Sequence, residues 1–208
     1  MSMTDVASPE AKDGMDHGGG HSTSTGVSNE KMAMWVFLGS ECLLFGAFIS
    51  TFLLYRDRPV KVGPKVADLY DIPFTSVSSF VLLMSSLTMV LALAGIQRGD
   101  HHRARTWLLT TGLLGASFVA GQVYEFTVFY KEGLGYTTNI QSSAFYTLTG
   151  FHGVHVTIGI LMLISLYVMS LRGKLPTERA ETVEIVGLYW HFVDVVWILI
   201  FTIVYLIK

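Results

Sequence analysis

Five stretches of this chain are apolar over about twenty residues or more, enough to cross the ~30 Å hydrocarbon core of a bilayer as a helix. They cover residues 32–55, 76–97, 107–130, 143–171 and 187–207. Inside lipid, backbone N–H and C=O groups find no water, so a spanning segment must be a helix or part of a closed barrel. Barrel strands alternate apolar and polar residues over about ten positions. These runs are longer and continuously apolar, so the expected fold is all-α: a polytopic membrane protein, a bundle of five transmembrane helices. Pro73, just ahead of the second run, suits a helix start. No internal repeat is evident, and an odd number of spans excludes two equal whole-helix halves, which weakens a transporter built on inverted repeats.

The connectors hold most of the charge: "RDRPVKVGPK" (56–65), "RGDHHRAR" (98–105), "KEGLGYTTN" (131–139) and "RGKLPTERAE" (172–181). Only 14% of residues are charged, against about 25% in soluble domains. A net charge of −2 with no basic run implies no nucleic-acid partner. The single cysteine, Cys42, excludes an intrachain disulfide. Lys12, Lys31, Arg98, Arg103, Arg105, Arg172, Lys174 and Arg179 fall on one side of the membrane, and Arg56, Arg58, Lys61, Lys65, Lys131 and Lys208 on the other. Eight against six places the N-terminus inside and the C-terminus outside. Tyr55, Trp107, Tyr130, Tyr136 and Tyr189 sit near segment ends, as an interfacial aromatic belt requires. Residues 1–30 are rich in Gly, Ser, Thr, Asp and His, a composition that cannot offset its ordering entropy, so they read as a disordered tail ahead of a five-helix domain at 31–208. They hold no apolar core segment, so no secretory signal is expected. Their "DHGGGH" (16–21) could bind a metal adventitiously.

Polar side chains within the spans are expensive and usually face a bundle interior. Span one holds Glu41, span three Gln122 and Glu125, span four His152 and His155, span five His191 and Asp194. Each pair is spaced i,i+3, on one helix face, which suggests a shared interior surface. Three readings compete. Facing helices build di-iron sites from Glu-x-x-His, and histidine pairs ligate haem, but no Glu-x-x-His occurs in the spans. Glu, Asp and His chains also build proton relays. Finally, such groups bond between helices or hold lipid head groups. Small residues at four-residue spacing, Gly112, Ala116 and Ala120 in span three and Gly46 and Ser50 in span one, argue for close helix packing within the bundle or against another subunit.

The stretches "WVFLGSECLLFGAF", "LLMSSLT", "LLGASFVAGQVYEF", "SAFYTLTGFHGVHVTIG" and "LYWHFVDVVWILIFTIVYL" stand in this order over residues 32–207. Together the chain resembles subunit III of the haem–copper oxidases, in its short bacterial form without the two helices that precede residue 32 in the longer form. The resemblance implies an accessory subunit with no catalytic residue and no metal of its own. It implies an aa3-type cytochrome c oxidase, or alternatively a quinol oxidase, that reduces oxygen to water and moves protons. Haem a, haem a3 and copper are then expected in partner subunits, and a bound phospholipid here. In the longer form lipid lies in a cleft whose smaller arm is made by the two helices missing from this chain. The expected partners are subunit I directly, subunit II and small subunits; cytochrome c or quinol would act only through other subunits. The expected location is a bacterial plasma membrane. Glu41 matches the family's buried Ser-Glu carboxylate, implicated in proton uptake. His152 and His155 match its Thr-Gly-x-His-Gly-x-His motif, His191 and Asp194 its Trp-His-Phe-x-Asp motif, and Glu125 a third-span position beside Gln122. The expected partner of His152 and His155 is a neighbouring carboxylate or a lipid phosphate, not a metal. The remote alternative is a freestanding proton-conducting or transport protein.

Overall fold

The computed structural model describes residues 28–176 and 179–207. Within them lie five long helices: α1 (Asn29–Arg56), α2 (Ile72–Gln97), α3 (His101–Lys131), α4 (Ile140–Leu171) and α5 (Ala180–Phe201). Each starts earlier than its apolar run, and a side-chain cap sets the start of the first four, while α5 has none. The Ser28 hydroxyl accepts from the Lys31 N–H, and the Asp71 and Asp100 carboxylates accept from Phe74 and Arg103. Asn139 and Ser142 cap each other's backbone at the start of α4. Pro73 falls in the first turn of α2, where a missing N–H costs nothing. The proposed tail at 1–30, with its histidine-bearing 16–21, lies almost wholly outside the described residues.

Among the described residues four helices are long and apolar enough to cross a membrane, the last running from Ala180 to Leu206 through a π-helical turn at Thr202–Leu206. Helix α3 is not one of them, although it spans 31 residues. It opens on His101, His102, Arg103 and Arg105 and carries Gln122 and Glu125 further along, which dilutes its apolar character. It packs chiefly on α2, then on α4. The turn between α2 and α3 is tight. Gly99 takes a φ of +72°, which a side chain rarely tolerates. A Cβ on Gly95 would come within 3.0 Å of the Ala104 backbone nitrogen, so the two helices nearly touch there.

Trp190 of α5 joins four helices. Its ring fills space that a Cβ on Gly115 of α3 (2.5 Å) or on Gly159 of α4 (2.8 Å) would claim. Its indole N–H donates to Ser85 of α2 at 2.9 Å. Two turns on, the Trp197 indole donates to Ser79 of the same helix at 2.8 Å. In lipid the hydrophobic effect does not pull helices together, so close fit and hydrogen bonds must do so. The small residues that matter are therefore Gly115, Gly159 and Gly187. The stripe expected from spacing does not pack within the bundle: Ala116, Ala120, Gly46 and Ser50 are exposed, Gly112 is only half-buried, and nothing approaches a Cβ on Gly46 or Gly112. Four-residue spacing marks a helix face without saying which way it points.

Helix α1 is held differently. Only Leu38, Phe45 and Phe52, each seven residues from the next, are buried, and they form a narrow seam against α4 and α5. At its start, Lys31 pairs with Glu184 and the Ser28 hydroxyl donates to Glu181. Of the residues expected in an aromatic belt, Tyr130 and Tyr136 are exposed, whereas Tyr189 is buried and donates to the His155 carbonyl at 3.0 Å.

Gly115→Ala should lower the thermal unfolding midpoint of the detergent-solubilised chain, since overpacking a fitted contact costs roughly 1–3 kcal/mol. Gly46→Ala, which meets open space, should leave the midpoint unchanged or raise it slightly. Equal midpoints for Gly115→Ala and the parent chain would remove Trp190 from its central role.

Candidate functional site

The seven polar residues singled out from the spans do not converge on one surface. They divide into separate groups. Positions i and i+3 on a helix are rotated roughly 60° from one another, so a pair on one broad face can serve two different neighbours.

His155 and His152 show this. His155 turns to α1, where its Nε2 lies 3.0 Å from Glu41 Oε2. Its Nδ1 is 2.7 Å from the Phe151 carbonyl. A carbonyl only accepts, so Nδ1 carries the hydrogen. The Nε2–Oε2 contact then contains one proton, on either the imidazole or the carboxyl, and the pair is electrically neutral both ways. His152 turns instead to α3 and α5. It is fully buried, stacked on Trp197 with centroids 4.9 Å apart, and the edges of Phe118 and Phe45 enclose it. Neither of its ring nitrogens bonds to a described protein group.

The third-span pair stays together. Gln122 Nε2 donates to Glu125 Oε2 at 3.3 Å. The other oxygen, Oε1, accepts from the Tyr205 hydroxyl at 3.1 Å and lies 3.1 Å from Thr75 Oγ1. This buried group ties α3 to α2 and to the π-helical turn. On α5, His191 Nδ1 and Ser86 Oγ of α2 share a hydrogen bond of 2.5 Å. Asp194, one turn further, approaches the same serine, but neither of its oxygens makes a hydrogen bond of normal geometry.

Among the described residues no three His, Cys, Asp or Glu side chains come together as a metal site would require. The groups instead bond helix to helix, one contact at a time: α1 to α4, α2 to α3, α2 to α5. The expected carboxylate neighbour of the histidines exists, as Glu41 for His155. The expected single polar surface does not. Sequence reasoning missed Ser86, Thr75, Tyr189 and Tyr205, which complete these bonds. Ser86 stood in the quoted "LLMSSLT", but a serine in a span is more often bonded to its own helix, as Ser79 and Ser85 also are here.

A sequence model described as cytochrome c oxidase subunit III matches residues 11–208. Cytochrome c oxidase subunit 3 of Bacillus sp. (strain PS3) is 39% identical over 178 residues, 86% of each chain. The subunit of the same name from Bacillus subtilis (strain 168) is 37% identical over 179 residues, again 86% of each. The probable quinol oxidase subunit 3 of Staphylococcus saprophyticus is 37% identical over 177 residues, 85% of this chain and 88% of the relative. This bundle of apolar helices, pinned by single buried polar contacts, belongs to the cytochrome c oxidase subunit III family.

Proposed function

We propose that the chain is the accessory, non-catalytic third subunit of an aa3-type cytochrome c oxidase in a bacterial plasma membrane. The observation that carries this reading is the family match across all five helices, joined to polar groups that are committed pairwise between helices. In this reading the N-terminus lies in the cytoplasm and all five helices cross the bilayer, α3 included. At 1.5 Å per residue its 31 residues reach about 46 Å, more than the ~30 Å core. Haem a, haem a3 and copper sit in the partner subunits, and this chain holds none of them. It packs directly on subunit I, with subunit II and small subunits nearby, and holds phospholipid.

The contribution of Glu41 and His155 follows from their shared proton. Shifting it between Oε2 and Nε2 changes no net charge, and charge is what a low-dielectric medium resists most. A proton that can relocate within the pair without changing its net charge supports a role beside a proton-uptake path. A quinol oxidase is the second reading, favoured by the Staphylococcus relatives at nearly the same identity. A tag on this chain decides between them. The purified complex should carry the haem a bands and oxidise reduced cytochrome c. Turnover with quinol alone would assign the second reading, and recovery of the chain without haem proteins would defeat both.

Two substitutions test the pair. Glu41→Gln keeps a donor for Nε2, whereas Glu41→Leu leaves that nitrogen without a partner, a loss of about 1–3 kcal/mol. In the isolated chain Glu41→Leu should melt lower and Glu41→Gln close to the parent. In the intact complex Glu41→Gln should assemble but take up protons more slowly or lose activity sooner during turnover. Unaltered rate and working life would strip Glu41 of any part in uptake. His155→Leu should loosen this subunit without shifting the haem spectrum, and a shifted spectrum would place His155 near a haem.

A further inference from the structure

Where the ends of α1 and α5 meet the α1–α2 connector, a cavity of about 400 Å³ opens to the surface. It lies at the level of Tyr55, whose ring carries the Arg58 guanidinium 5.4 Å from its centroid. Aromatic and basic side chains paired in this way mark the boundary between acyl chains and head groups. The cavity is lined by the charged side chains Arg56, Asp57, Lys65 and Asp68 and by the apolar Phe52 and Val204.

Arg56 is half-buried, yet its contacts are slack. Nη1 reaches the Ile203 carbonyl and Nε reaches Asp57, both at 3.4 Å, beyond the usual hydrogen-bond distance. Of five N–H donors, most remain available. Among the described residues Lys65 makes no ion pair. The two cations and two carboxylates balance. Tyr70, which also lines the cavity, adds no charge, because burial pushes its phenol up, with the Glu125 carboxyl adding to the effect. A plain anion would meet as much repulsion as attraction there. A zwitterion meets attraction at both ends, and an apolar tail meets Phe52 and Val204.

We propose that this cavity binds the head group of phosphatidylethanolamine. The phosphate takes Arg56 and Lys65 as donors, the primary ammonium donates to Asp57 and Asp68, and one acyl chain follows Phe52 and Val204 along α1 and α5. The site deepens the lipid part of the proposed function by giving it a place and a head-group chemistry. It is built wholly from this chain, so its test does not depend on the oxidase assignment.

The test is native mass spectrometry of the full chain in detergent, titrated separately with dioctanoyl phosphatidylethanolamine, dioctanoyl phosphatidylglycerol and free O-phosphoethanolamine. One phosphatidylethanolamine should bind per chain, about tenfold more tightly than phosphatidylglycerol, the size of one charge-assisted contact. Lys65→Ala should weaken it about tenfold, and Asp68→Asn should erase the preference over phosphatidylglycerol. Both residues lie exposed in the connector, so the bundle should fold unchanged. Lys61→Ala, outside the cavity, should bind as the parent does. Equal binding of the two lipids, or full binding by Lys65→Ala, would overturn the proposal. So would free O-phosphoethanolamine binding as tightly as the lipid, which would assign the cavity to a soluble phosphoamine.

Discussion

The bundle depends on one indole. Trp190 fills the notches left by Gly115 and Gly159 and donates its N–H to Ser85, so α2, α3 and α4 all meet α5 at one level. Remove the ring and three interfaces lose their common contact at once. The requirement comes from the solvent. Lipid tails are as apolar as leucine, so burying one more leucine gains little, and what remains is fit and directed bonds. Trp190 supplies both, because its large apolar face needs two glycines and its one donor needs a hydroxyl. Trp197 repeats the hydroxyl half of the arrangement on Ser79, and Met89 lies against Gly187 where α2 and α5 run on.

The buried polar groups obey the same economy. Most join two helices and satisfy one another within hydrogen-bond reach, Glu41 with His155, Glu125 with Gln122 and Tyr205, His191 with Ser86, while His152 and Asp194 make no such bond. Distributing them this way keeps the number of exposed donors and acceptors in the bilayer small. It also explains why so many ionisable residues coexist in a chain that gathers no metal cluster among its described residues. A convergent site would need them to point inward together; here His152 and His155 split their directions between neighbours, His191 and Asp194 both turn to Ser86 of α2, and Gln122 bonds Glu125.

Much of the architecture was legible in the sequence for a simple reason: a bilayer permits few backbones. Apolar length therefore located all five helices, and Asp71, Asp100 and Asn139 in front of them explain the early starts. The candidate site was legible in its members and not in its arrangement. Spacing placed His152 and His155 on one face, yet one stacks on Trp197 and the other meets Glu41, since 60° of rotation is enough to change neighbours. The same blindness to direction left open whether the Gly112–Ala116–Ala120 stripe faced the bundle; it faces away from it. Tyr205 was hidden for another reason. It reaches Glu125 through a π-helical turn, whose wider winding breaks the 3.6-residue period on which such reasoning rests.

The narrow seam of α1 has a consequence in time. Its packing partners, α4 and α5, begin at Ile140 and Ala180, far downstream. A ribosome adding ~5–20 residues each second delivers them roughly ten seconds or so after α1 emerges. Throughout that interval α1 has to survive in the bilayer unaccompanied. Its outward-facing Leu43, Leu53 and Leu54 then serve biogenesis as much as the finished protein, letting the first helix wait in lipid for its companions.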